Sequence, residues 1–209
     1  MTEPVTHPPR YVETTRSLLR ETILRATDGL LADRRWGAIT MAEVARAAGV
    51  SRQTVYNELG NREDLALAYA GWAGDQLLDE VERCVAANRG DLSGALVAAF
   101  TVFLDLGTDH PLVRSIADSG GHDDLLAALA HPRRSPIIDD ASTRLVGIIR
   151  STWAHLPPDP VVAVAELLVR LAVSHLLLPT STPEAAARQV AEVLDPFLRD
   201  IEATYPSSG

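Results

Sequence analysis

The stretch TMAEVARAAGVSRQTVYNEL occupies residues 40–59, and its reading decides the rest of the chain. Thr40 is a good N-cap, and Glu43, three residues on, completes a capping box that opens a helix of about two turns. Met41, Val44, Ala45 and Ala48 make a narrow inner face of mostly small side chains, against which another helix can pack closely. Gly49 falls where a helix ends in the left-handed conformation. Ser51 then caps a second short helix, Arg52–Leu59, with Val55 and Leu59 pointing inward. A small residue at the helix crossing, a glycine in the turn and an apolar anchor in the second helix are what a helix-turn-helix requires.

The outward face of the second helix carries Arg52, Gln53, Tyr56 and Asn57, with Thr54 at its flank. Arginine can pair with guanine O6 and N7, and glutamine or asparagine with adenine N6 and N7. Ser51, Thr54 and Tyr56 supply hydroxyls for phosphates, and the amides at the starts of both helices, at Thr40 and Ser51, add more donors. Arg62, opening the next helix, is placed to reach a neighbouring phosphate. The candidate DNA-contacting set is therefore Thr40, Ser51, Arg52, Gln53, Thr54, Tyr56, Asn57 and Arg62. A helical hairpin in an unrelated bundle would account for Ala45, Gly49 and Val55. It would not account for a solvent face with no carboxylate before Glu58.

Outward from this segment, apolar residues recur at helical spacing and no strand-like alternation appears. The reading is all-α, with about nine helices. The first spans about Glu13 to Arg34, with Leu19, Ile23, Ala26 and Leu30 on one face. A long helix runs from Asn61 or Arg62 to about Asn88, where Gly90-Asp91 stops it. Others are expected at Leu92–Leu106, Leu112–Asp118, Asp123–Ala130, Ile137–Trp153, Val161–Leu178 and Pro183–Thr204, divided by Gly107, Pro111 and the prolines at 132, 136, 157, 158 and 160. Pro196 is expected to kink or split the last helix near Asp195.

The 209 residues are 46% apolar and 22% charged, ordinary globular usage that rules out a disordered chain as a whole. The single cysteine, Cys84, excludes an intrachain disulfide framework and any cysteine-based zinc site. Net charge is −9, which taken alone argues against a polyanion partner. Its distribution changes that: residues 1–62 hold nine Arg against seven acids, and residues 63–209 hold ten against 21. All 19 basic residues are Arg. Charge thus permits a local nucleic-acid face without demonstrating one. The N-terminal MTEPVTHPP has neither a basic nor an apolar leader region, and Val161–Leu178, interrupted by Glu166, Arg170 and His175, reads as a buried helix and not a membrane span. A cytoplasmic protein with no membrane partner is expected.

Residues 40–59, followed by Arg62-Glu63-Asp64-Leu65, resemble the DNA-binding domain of the TetR/AcrR family of transcriptional regulators, and Leu19–Leu31 resembles that family's first helix. The match covers about residues 16–69, a quarter of the chain. Departures are Arg35 where a glycine is usual, Leu59 for phenylalanine, Gly60 for a common lysine, Arg62 for the usual phosphate-touching lysine, and Gln53 where a small residue is common. The resemblance implies a helix-turn-helix domain at about 10–60 and an effector and dimerisation domain at 61–209. It also implies a homodimer formed through the last two long helices, reading a palindromic operator and released by a small molecule. The stripe Val190, Val193, Leu194, Phe197 and Ile201 fits such an interface.

An effector pocket is likewise implied by the resemblance. Its candidate lining is Trp72, Phe100, Phe103, Leu104, Leu106, Ile149 and Trp153, with His110, Arg114 and His175 as polar handles, and the apolar composition suggests an apolar or amphipathic effector. No cofactor and no metal are expected. Ser119 in Asp118-Ser119-Gly120-Gly121 mimics a protease nucleophile of an all-β fold, and His110, His122, Asp123, Asp124 and His131 match no metal-ligand spacing. The function expected is a ligand-responsive regulator, most simply a repressor, and no enzyme. The readings from other classes are a helical small-molecule-binding protein or enzyme with a vestigial helix-turn-helix, marked by turnover without sequence-specific DNA binding, and a protein-binding adaptor, marked by a monomer that shifts no DNA.

Overall fold

The computed structural model describes residues 9–118 and 136–206, with side chains from residue 14 onward. Among the described residues the fold is all-α. The helices are α1 (Pro9–Asp33), α2 (Met41–Ala47), α3 (Arg52–Leu59), α4 (Arg62–Ala87), α5 (Leu92–Asp109), α6 (Pro111–Asp118), α7 (Ile137–Thr152), α8 (Pro158–Leu177) and α9 (Pro183–Thr204), with one 3-10 turn at Trp36–Ala38. The helix expected at Asp123–Ala130, together with Ser119, His122, Asp123, Asp124 and His131, lies outside the described residues.

Local chemistry fixes most helix starts. Thr40 accepts from the Glu43 amide while Glu43 reaches back to the Thr40 amide, and Asn61 and Asp64 repeat the device at the head of α4. Such reciprocal caps satisfy amides that have no partner inside the helix. Ser51, Asp91 and Thr182 cap α3, α5 and α9 with their side chains. Gly49 ends α2 at φ 68°, in the left-handed region expected for it. Gly60 ends α3 at φ 71° and ψ −140°, a conformation essentially reserved for glycine, which accounts for its presence where the family pattern has lysine.

Two cores result. The N-terminal one joins Ile23, Leu24 and Leu31 of α1, Trp36, Ile39, Val44, Val55 and Leu59. It also takes in Leu65, Ala66 and Tyr69 of α4 and Ile116 of α6, all beyond the boundary expected at residue 60. The face of α1 is rotated from the sequence reading: Leu19, Ala26 and Leu30 are only half-buried, and Leu24, Thr27 and Leu31 lie deeper. Thr27 is tolerated there because its hydroxyl donates to the Ile23 carbonyl at 2.9 Å.

The larger core is a bundle in which α4 packs on α5 and α7, α5 on α9, and α7 on α8. Gly107 lets α5 approach α8, since a Cβ there would stand 2.7 Å from the Leu176 side chain. By length and composition α5 and α8 are apolar enough to cross a bilayer, and both pack against other helices of this bundle. Pro196 does not split α9, which runs unbroken from 183 to 204. The stripe read on that helix divides: Val190 and Ile201 turn into the protomer's own core, while Val193 (74% exposed) and Phe197 face outward.

Candidate nucleic-acid interface and effector cavity

The outer face of α3 carries an ordered set of polar side chains. Arg52, Gln53, Tyr56 and Asn57 are exposed, and Val55 and Leu59 anchor the opposite side. Gln53 Nε2 donates to Asn57 Oδ1 at 2.8 Å, aligning two amides one helical turn apart. The Arg52 guanidinium lies 5.8 Å from the Tyr56 ring centroid. Ser51 Oγ accepts from the Thr54 amide at 3.0 Å and pairs with the Thr54 hydroxyl at 2.8 Å, so both hydroxyls serve the cap while remaining at the surface. Thr40 is exposed as well, with its hydroxyl donating to Glu43 at 2.8 Å.

The carboxylate of the second helix is neutralised. Glu58 accepts from Arg16 Nε at 2.8 Å, and Arg20 donates to the Glu58 carbonyl at 3.0 Å. Two arginines of α1 therefore clamp the end of α3 and cancel the charge that would repel a phosphate backbone. Glu43 is treated similarly: Arg34, and secondarily Thr40, hold its carboxyl down to about 2.

Arg62 does not face the same way. Its guanidinium donates to the Trp36 carbonyl at 2.5 Å and to the Ile39 carbonyl, and lies 4.9 Å from the Trp36 ring centroid. The side chain expected on a phosphate is thus a half-buried strut tying the head of α4 to the turn before α2.

Between α4, α5, α6, α7 and α8 lies a cavity of about 610 Å³, within the usual range for a small-molecule site. Phe100, Phe103 and His110 line it, as the sequence suggested. Most of the other candidates are elsewhere. Trp72 stacks on Tyr69 at 6.0 Å beside the N-terminal core. Leu104 is buried in the bundle and Leu106 and Arg114 are exposed. Ile149 and Trp153 border a separate hollow of about 80 Å³. His175 stands behind the wall, edge-on to Phe100 at 5.9 Å, with Nδ1 at 2.8 Å from the Leu171 carbonyl.

The walls that were missed are small or aliphatic: Ala70, Ala73, Gly74 and Leu77 on α4, Ala141 and Leu145 on α7, and Ala172 and Val173 on α8. The run Ala70-Ala73-Gly74-Leu77, one helical face of small residues, was the available signal. Among the described residues, only His110, Asp139 and Arg170 bring polar side chains to the lining, and Arg170 is paired with Glu166 at 2.8 Å. His110 Nδ1 accepts from the Leu112 amide at 3.2 Å, which leaves Nε2–H as its donor. Burial pushes the imidazole below its ordinary value, against a smaller opposing pull from Asp28, and so favours the neutral ring.

A recognition helix with a cleared polar face, rooted in a three-helix head and joined by a long helix to a bundle around an apolar cavity, defines a class: the ligand-responsive DNA-binding regulators. Residues 23–69 match the profile described as "Bacterial regulatory proteins, tetR family", and residues 91–196 match "Bacterial Tetracyclin repressor, C-terminal domain". The chain is 37% identical over 187 residues to the HTH-type transcriptional regulator AlkX of Mycobacterium tuberculosis (strain ATCC 25618 / H37Rv), covering 90% of this chain and 88% of that one. Its fold matches the crystal structure of the TetR family repressor AlkX from Dietzia sp. strain DQ12-45-1b, implicated in biodegradation of n-alkanes. That match has a TM-score of 0.78 and 31% identity, over 87% of this chain and 96% of that one. The R. erythropolis transcriptional repressor QsdR shares the fold at a TM-score of 0.61 and 20% identity, over 86% and 95% of the two chains. The chain belongs to the TetR family of transcriptional regulators. It is a DNA-binding regulator and not an enzyme.

Proposed function

We propose that this chain acts in the cytoplasm as a homodimeric repressor, binding a palindromic operator through two copies of α3 and released by an apolar or amphipathic straight-chain molecule held in the central cavity. One observation carries the reading. The helix that walls the cavity also holds the DNA-binding head: Leu112, Val113 and Ile116 of α6 line the cavity, while Ser115 of the same helix accepts from the buried Trp36 amide at 3.0 Å. A ligand that displaces α6 therefore acts on the seat of α1 to α3 through a covalently continuous element.

The mostly apolar lining among the described residues supports an apolar effector, and the link of the Dietzia relative to n-alkane biodegradation agrees with a straight chain. His110 Nε2–H is a half-buried donor suited to a terminal oxygen. The exposed Val162 and Leu167 of α8 and Val193 and Phe197 of α9 support an interface between copies on that face. Two copies are needed because half-sites lie about 34 Å or a multiple apart on one face of a duplex.

The test is fluorescence anisotropy with duplex DNA from upstream of the chain's own gene, repeated with a straight-chain alcohol or carboxylate. Saturable binding that weakens roughly 5–150-fold with the additive is expected, the span of a coupling of about 1–3 kcal/mol. Equal DNA affinity with and without every such chain would remove the effector reading.

A further inference from the structure

The 610 Å³ cavity and the 80 Å³ hollow share five lining residues: Val81, Leu96, Ala99, Leu145 and Leu168. These come one or two each from α4, α5, α7 and α8, a ring of side chains from four helices at the boundary of the two spaces. Beyond the ring, Val85, Ile149, Trp153 and Leu156 border a space whose side-chain lining among the described residues is apolar, the Trp153 indole N–H being spent on the Arg89 carbonyl at 2.9 Å. An apolar lining of this kind suits hydrocarbon.

The lining along α4 runs from Ala70 to Val81 in the cavity and on to Val85 in the hollow. At 1.5 Å per residue these lengths are about 16 Å and a further 6 Å. A saturated chain built of 1.5 Å bonds advances about 1.3 Å per carbon, so the cavity takes about 12–13 carbons in extended form and the hollow four or five more. We infer that the ring of Val81, Leu96, Ala99, Leu145 and Leu168 is a chain-length gate: effectors longer than about 12–13 carbons bind by threading it into the hollow beyond. This rests on the straight-chain reading of the effector and adds which residues set the length that the site accepts.

Ala99 is the narrow member whose enlargement closes the ring, and Leu145 the wide one whose truncation opens it. The experiment titrates full-length wild type, Ala99→Leu and Leu145→Ala with primary alcohols of 8 to 18 carbons below their aggregation limits, read by calorimetry or tryptophan fluorescence. Wild-type affinity is expected to rise about three- to fourfold per methylene through the whole range. In Ala99→Leu the rise stops near 12–13 carbons, leaving the 16-carbon alcohol at least tenfold weaker than in wild type and the 10-carbon alcohol within twofold. Leu145→Ala binds the 16-carbon alcohol at least as tightly as wild type, which keeps the gate testable should Ala99→Leu fail to fold. An equal loss at both lengths in Ala99→Leu, or a loss in Leu145→Ala confined to long chains, overturns the gate while leaving the effector class intact. Failure of wild type to bind any length overturns the effector class and the gate with it.

Discussion

Replacing Arg62 with alanine separates two roles that the same residue could play. In the structure its guanidinium gives two charge-assisted hydrogen bonds, to the Trp36 and Ile39 carbonyls, and stacks over the Trp36 ring at 4.9 Å. Hydrogen bonds from a charged donor contribute about 1.5–3 kcal/mol each, and a half-desolvated cation–π contact about 1 kcal/mol. These contributions overlap, because one side chain makes all three and water replaces part of what is lost at a half-buried site. A net loss of about 2–4 kcal/mol follows, which for a chain of this size is roughly 5–15 °C in the melting temperature. Arg62→Lys is expected to recover less than half of it, since an ammonium cannot fork to two carbonyls and stack as well. The assay pairs a thermal melt followed by circular dichroism with operator affinity measured across a salt series. A residue that touches phosphate would instead leave the melt unchanged and reduce the salt slope by about 1. A melt within about 1 °C of wild type together with that reduced slope would refute the strut.

Four further perturbations test other parts of the structure. Gln53→Ala removes the partner of Asn57 on the exposed face of α3 and is expected to relax preference at one or two base pairs by about 1–3 kcal/mol each in a randomised-operator selection, with stability unchanged. Gly60→Ala forces a Cβ against the Asp64 carboxylate at φ 71°, and a chemical-denaturation midpoint should show a loss of about 1–3 kcal/mol. Glu43, held down to about 2 by Arg34 and Thr40, contributes stability that is full above the ordinary carboxylate value and lost as pH falls toward 2; Glu43→Gln should therefore lower the melting temperature at pH 7 and converge with wild type near pH 2. Val193→Glu, at a site 74% exposed in the protomer, should give a monomer by sedimentation with helical content intact, and an unchanged dimer would place the interface elsewhere.

What the sequence revealed and what it concealed divide along a physical line. The caps at Thr40, Ser51 and Asn61 and the left-handed Gly49 are set by groups within four residues of each other, so their chemistry is legible in order along the chain. The direction of the Arg62 side chain depends on where the Trp36 ring sits, 26 residues away, and nothing local encodes that. The cavity shows a different limitation. Large side chains such as Trp72, Trp153 and Leu104 attract attention as pocket residues, yet large side chains fill space, and a void forms where facing side chains are small. Ala70, Ala73 and Gly74 are where α4 withdraws from its neighbours. On α9 apolar residues occur on two faces, and helical periodicity alone cannot say that Val190 and Ile201 turn inward while Val193 and Phe197 turn out.

The energetics of the α6 contact bear on how occupancy of the cavity reaches the DNA. A ligand shifts a conformational equilibrium only by its differential affinity for the two states, so the displaced element must hold something of comparable worth. The Trp36 amide and the Ser115 hydroxyl are both buried, and separating them strands a polar group at about 1–3 kcal/mol. That is the usual size of an allosteric coupling, so under the proposed mechanism breaking this one bond would be enough to release the head. Trp36 is also the residue on which Arg62 stacks, and Arg62 begins α4, directly after the Gly60 turn that ends α3. Under the proposed mechanism, movement of α6 would reach Trp36 and, through it, Arg62, three residues beyond the end of α3 at Leu59.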